Sequence, residues 1–345
     1  MAIIDKPTDY FNTKLYTGNG GTQSITGVGF QPDFNWTKSR TTTQSHVLTD
    51  AVRGVTKTLF TNATQAEATL SGITAFGTDG YTLGASDLWS ENSTSFASWN
   101  WLGANGTASN TTGSIDSTVS ANTTSGFSIV SYAGNSTAGA TIGHSLGVAP
   151  KMIIVKDRDG ADSWVVYHNS LAITEYLILN STSAALTDNE VIFYDTDPTS
   201  SVFTVGAHNT VNQSGHNYIA YCFAEKQGYS KFGSYTGNGS TDGTFVYTGF
   251  KPAFVMIKAT GLVKNWLTFD NRRLGYNGAG TNKQLHPNTN GTESSGNGTT
   301  LDILSNGFKT RTTDSDENGS GQNYIYMAFA ENPFVASNFV PTTAR

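Results

Sequence analysis

The chain has 345 residues, enough for two or three cores on the usual domain scale, and carries a net charge of −6 with only 13% charged residues. Gly, Ser, Thr and Asn fill its polar positions, and its Lys and Arg residues form no stripe that would neutralise phosphates, which argues against a nucleic-acid partner. No apolar run is long enough to insert in a membrane, the opening MAIIDKPTDY lacks a signal-peptide pattern, and a lone Cys222 excludes an internal disulfide.

In chain order, residues 1–13 read as an N-terminal arm that mixes AII with YF and could anchor to a neighbour. A first unit, 14–102, opens with KLYTGNGG, and its Asn-Gly turn signal precedes an apolar strand that begins after Pro32 and ends at Lys38. It closes on the alternating run FASWNW. Residues 103–125, rich in Gly, Ser, Thr and Asn, read as a flexible linker. A second unit, 126–226, repeats the first in divergent form, with SYAGNS for LYTGNG, Pro150 for Pro32, Lys156 for Lys38 and YIAYCF as the closing run. A third, 231–331, has SYTGNG, Pro252, Lys258 and YIYMAF, and the tail covers 332–345.

The spacing from proline to closing aromatic is 69, 73 and 77 residues, and Asn62, Asn180 and Asn288 align between them. Self-similarity of this kind marks tandem copies of one supersecondary unit. Alternating β-branched and aromatic residues separated by Gly, Asn and Asp predict antiparallel strands joined by tight turns, with at most a turn of helix at TQAEATL and STSAALTD. The fold class read from the sequence is therefore all-β: three tandem, divergent antiparallel β-sandwich repeats of jelly-roll or lectin-like kind.

No residue set stands out as catalytic. The histidines are scattered without metal-ligand spacing, GHSLG at Gly143 is not followed by a helix, and the carboxylate pairs Asp50/Glu67 and Asp270/Glu293 are replaced by Asn169 and Ala185 in the second unit. The expectation is a protein that is not an enzyme. Two sites remain as candidates. Trp89, in the loop SDLWSENS and without a partner in the other units, reads as a ring on which a glycan stacks. DSDENGSG resembles the first half of a calcium loop, with Asp314, Asp316 and Asn318 as ligands, although Ile325 stands where a bidentate Glu is expected; otherwise no cofactor is implied.

The phrases GFQPDFNWTKSR, DAVRG, YIAYCFAEKQGYSKFGSYTGNGSTDGTFVYTGFKP and YIYMAFAENPF, spread over nearly the entire chain, resemble a family of repeat-containing virion proteins, tail-fibre-like or structural, of marine tailed bacteriophages, including cyanophages. The resemblance implies a virion structural protein assembled in the host cytoplasm and exposed on the particle. The leading role is a tail-fibre or receptor-binding appendage that contacts a host cell-surface glycan or protein. The alternatives are a capsid decoration protein that stabilises the head and a carbohydrate-binding lectin or adhesin. Other virion proteins and further copies of the chain, as a homo-oligomer, are the expected partners.

Overall fold

The computed structural model describes residues 3–273, 277, 283–295, 300–336, 338 and 340. The first third runs β1 (Phe11–Thr17), β2 (Gln23–Thr26), β3 (Phe34–Ser39), β4 (Val47–Asp50), β5 (Lys57–Phe60), β6 (Ala68–Thr69), β7 (Ile73–Gly77), β8 (Gly80–Leu83), a single helical turn α1 (Asp87–Ser90) and β9 (Ser95–Trp101). The middle runs β10 (Ala108–Asn110), β11 (Ser117–Asn122), β12 (Phe127–Ala133), β13 (Ala140–Gly143), β14 (Met152–Asp157), β15 (Val165–His168), β16 (Glu175–Ile178), β17 (Leu186–Thr187), β18 (Val202–Val205), the turn α2 (Asn209–Asn212) and β19 (Asn217–Phe223). The last third contains β20 (Ser230–Thr236), β21 (Phe245–Tyr247), β22 (Phe250–Ala259), β23 (Leu267–Asp270), β24 (Leu301–Leu304), β25 (Gly307–Thr310) and β26 (Asn323–Pro333).

The protein is all-β, built from several antiparallel sheets. One strand order recurs in the three larger sheets: β1-β9-β3-β4 at one edge of a six-stranded sheet, β12-β19-β14-β15 in the middle of an eight-stranded one, and β20-β26-β22-β23 as the whole of a four-stranded one. Beside each lies a smaller one, β2-β8-β7, β13-β18 and β21-β25-β24. Each larger sheet turns one face to its small sheet and the other to a core shared by all three.

Strand alternation makes this visible. Ile153 and Val155 of β14 enter the outer core with Phe203 and Val205, whereas Met152 and Ile154 enter the shared core. Likewise Val255 and Ile257 face outward to Phe308, and Phe254 and Met256 face inward. The inner core joins Trp36, Trp99 and Trp101 to Tyr221 and Phe223 and to Phe254 and Phe329. Strands buried on both faces need apolar residues in both phases, which is why MIIV and AFVMI are continuous apolar runs.

Each junction between neighbouring sheet pairs uses the same backbone hydrogen bond. Glu67 N donates to Arg158 O at 2.7 Å, Ala185 N to Thr260 O at 2.8 Å, and Glu293 N to Arg40 O at 2.8 Å. The first pair thus joins the second, the second joins the third, and the third returns to the first. Indoles reinforce two of these joints, Trp164 Nε1 donating to Phe60 O at 2.9 Å and Trp266 Nε1 to Ile178 O at 3.0 Å.

Several expectations are corrected. Residues 103–125 are not a bare linker, because they carry β10 and β11, which extend the second large sheet to eight strands. Ser and Thr there alternate with Ile115 and Val119, which are buried in the outer core of the second pair, so the polar composition hides a strand pattern. TQAEATL and STSAALTD are extended and end in β6 and β17 rather than forming helical turns. In the arm, Ile4 is buried in the shared core and its N–H donates to Gln227 O at 3.1 Å, so this part closes over the protein's own chain. Residues 1 and 2, and 337, 339 and 341–345 of the tail, lie outside the described residues.

Candidate functional site

The two sites expected from the sequence turn out to be one turn seen in different sheet pairs. After β8, β18 and β25 the chain makes the same approach to the next strand, and a tyrosine hydroxyl fastens it each time. Tyr16 donates to Trp89 O at 2.9 Å, Tyr132 to Val211 O at 2.8 Å, and Tyr235 to Glu317 O at 2.6 Å. Trp89, Val211 and Glu317 are therefore equivalent positions.

Trp89 is no glycan platform. Its side chain is fully buried in the outer core of the first pair, over Gly72, where an added Cβ would lie 2.6 Å from the indole. Leu88 beside it packs against the same core, and burying the large indole gains far more than exposing it. Its partner Val211 is small enough that the sequence pattern gave no warning.

The expected calcium ligands are likewise occupied. Asp316 pairs with Lys264 at 2.6 Å, and the Asp314 carboxylate accepts the N–H of Asp316 at 3.0 Å. The Asn318 amide donates to Thr312 O at 2.7 Å and to Ser240 O at 2.8 Å, and its oxygen accepts from Asn238 N. Asn212 holds Asn135 N in the same way in the second pair, which identifies Asn318 as a fastener of the turn. Among the described residues no group of three His, Cys, Asp or Glu side chains is placed to hold a metal ion. Glu317, fully buried where the other pairs have Trp and Val, has its carboxyl pushed well above the usual range by desolvation, and Asp314 and Asp316 add to the shift.

The carboxylate pairs are separated by arginine. Asp50 meets Arg53 at 2.5 Å, and Arg53 in turn meets Glu67 at 3.0 Å; Asp270 meets Arg273 at 2.7 Å, and Glu293 takes Arg40 at 2.9 Å. These carboxylates are bound as ion-pair networks at two joints. His144 of GHSLG spends its ring locally, Nδ1 accepting from Leu146 N and Nε2 meeting Thr199 O. Three buried lysines also repeat: Lys38, Lys156 and Lys258 each donate to the next residue's carbonyl and to the carbonyl four residues on, at 2.6 to 3.4 Å. Burial lowers each ammonium to about 8.

The open surface differs more between pairs. Cavities lie beside the connection that leads from each small sheet into its larger one. Beside Gly27–Gly29 a cavity of 580 Å³ is lined by Lys6, Asp9, Lys14, Asp79 and Arg272; near Ser145 one of 350 Å³ is bordered by β10 and β11. Beside Tyr247–Gly249 lies the largest of the three, 640 Å³, at the seam of the second and third pairs.

Strand β21 supplies its distinctive wall. Tyr247 is 57% exposed and Phe245, two residues earlier on the same face, is 44% exposed, while Val246 between them is buried. Cross-strand register makes Tyr247 opposite Gly307 equivalent to Thr26 opposite Gly80 and to Gly143 opposite Val202. Phe245 corresponds to Ser24 and Thr141. Only the third pair places aromatic rings at both positions. Sequence reasoning missed them because TFVYTGF is apolar in both phases; comparison with QSIT at β2 is the signal that finds them.

Lys151, Glu225, Gln227 and Lys231 also line this groove. Lys231 and Glu225 pair at 2.8 Å, whereas Lys151 has no carboxylate partner among the described residues. The wall offers a ring face for stacking, one unneutralised cation and an exposed amide.

Fold and groove together describe an all-β protein with an external groove at the seam of its second and third sheet pairs. The chain belongs to the family described as a domain of unknown function (DUF7483), which matches residues 6–333 and so spans all three sheet pairs as one domain. Neither the curated proteins nor the solved structures gave a match.

Proposed function

We propose that the chain consists of three tandem, divergent copies of one β-sandwich and serves as a non-catalytic structural protein of a tailed-phage virion, exposed on the particle as a receptor-binding appendage. The observation that carries this reading is the contrast between a conserved interior and one altered exterior. The strand order, the joint hydrogen bonds and the tyrosine-fastened turns recur in all three pairs, while the outer strand of the third alone presents aromatic rings. A repeated scaffold with one modified outer face suits a rigid body that displays a contact site. The resemblance of the repeated phrases to phage virion proteins supports the same reading, with other virion proteins and further copies of the chain as partners.

Capsid decoration is the second reading, and the packing of three sheet pairs around one core, without any long helical shaft among the described residues, favours it. Gold-labelled antibody raised against the middle sheet pair, imaged by electron microscopy on purified particles of the source phage, separates the two. Label on the tail or its fibres is the expected result; label over the head would transfer the role to decoration. Particles that carry no label would remove the virion reading.

A further inference from the structure

Resting on that reading of an exposed contact protein, we propose that the groove between the second and third sheet pairs binds an acidic saccharide, with Tyr247 as the stacking face and Lys151 as the partner of the sugar's carboxylate or other anionic group. Its 640 Å³ lies within the range of roughly 300–1,000 Å³ typical of small-ligand sites. Tyr247 is more than half exposed on a strand whose counterparts carry Thr26 and Gly143, so neither packing nor the repeat requires a ring there. An exposed ring offers the axial C–H face of a pyranose an apolar partner while its hydroxyls remain wet.

Charge selects the class of sugar. The protein is acidic overall, yet this groove holds Lys151 without a carboxylate partner among the described residues, beside a Lys231–Glu225 pair that is already neutral. The net local charge is positive and complements a uronic or similarly acidic residue. Gln227, exposed at the rim, supplies an amide for the ring hydroxyls. An acidic peptide would also meet Lys151, but the stacking face and exposed amide fit a polyhydroxylated ring better.

The test is an array printed with uronic-acid-containing, phosphate-bearing and neutral oligosaccharides together with acidic peptides, probed with the full chain. Binding concentrated on acidic saccharides is expected. Tyr247→Ala should weaken it about tenfold, the scale of one lost stacking contact, while Tyr247→Phe retains it. Lys151→Gln should abolish the preference for acidic over neutral sugars. Silence on every saccharide, binding confined to acidic peptides, or an unchanged pattern in Tyr247→Ala would overturn the proposal. Saccharide binding together with particles that carry no label would remove the virion reading and leave the groove; labelled particles with a silent array would remove the groove alone.

Discussion

Two of the three joints between sheet pairs hold ion-pair networks, and one, neutral in lacking any ion pair among the described residues, is crossed by the buried Lys258 ammonium, which donates to Thr182 O at 3.3 Å. Between the first and second pairs, Asp50, Arg53, Glu67 and Arg158 form a chain of ion pairs, and between the third and first, Asp270, Arg273, Glu293 and Arg40 do the same. At the joint of the second and third, the strand register puts His168, and not Asn169 as the sequence alignment has it, in the place of the aspartates, with Ala185 in that of the glutamates and Thr260 in that of the outer arginines. All three nonetheless keep the same backbone hydrogen bond and close side-chain packing. Geometry is thus set by strand order and the shared core, and charge is added where a buried arginine has to be satisfied.

The largest effect should come from breaking a charged joint. Arg273→Ala leaves Asp270 without its cation in a buried setting, while Glu293 keeps Arg40, and should cost about 3–5 kcal/mol in urea unfolding. Thr260→Val at the neutral joint should cost less than about 1 kcal/mol, because its backbone carbonyl is untouched. Equal losses at both would mean that the ion pairs do not distinguish the joints.

The neutral joint should also be sensitive to acid. Burial lowers His168 to about 4, and its ring meets Tyr326 O at 3.1 Å. Between about pH 6.5 and 4 the unfolded chain takes up a proton that the folded histidine refuses, so stability falls as pH falls, by about 1.4 kcal/mol per pH unit within that window. His46, His144 and His286 are shifted in the same direction by burial. His168→Asn should make the pH profile measured by thermal unfolding shallower by that one histidine's share; a profile as steep as the parent's would assign the acid sensitivity elsewhere.

A similar contrast of polar and apolar occupants exists at the outer turns. Glu317→Val, which installs the residue found at Val211, should stabilise the fold by about 1–2 kcal/mol at pH 7 and little at pH 4, because a carboxyl raised by burial costs stability only above its ordinary range. A loss at pH 7 would show that Glu317 makes a favourable contact. The graft Ala185→Glu with Thr260→Arg, which builds an ion pair at the neutral joint, should likewise change stability by no more than about 1 kcal/mol.

Much of this architecture was legible in the chain. The lysines that align by sequence lie on β3, β14 and β22 and the closing aromatic runs on β9, β19 and β26, and Asn62, Asn180 and Asn288 accept from the backbone N–H of His46, Trp164 and Trp266 respectively. Closure into one body was not legible, because inward and outward residues on β14 or β22 are equally apolar and only their packing partners tell the faces apart. The strands β10 and β11 were hidden by composition. The site residues failed for a related reason: Trp89, Val211 and Glu317 share a backbone role and no side-chain chemistry, so their equivalence appears only through the tyrosine hydroxyls that fasten them. At Tyr247 the ring's exposure follows from which face of β21 meets Phe308, a fact of register rather than of spelling.

Differential scanning calorimetry of the full chain tests the central claim most directly, namely that three sheet pairs close around one shared core. A single transition whose van't Hoff and calorimetric enthalpies agree is predicted, since Trp99, Tyr221 and Phe254 from different pairs are buried together. Separate transitions, each with the enthalpy of about a third of the chain, would show three independently folding modules and contradict it.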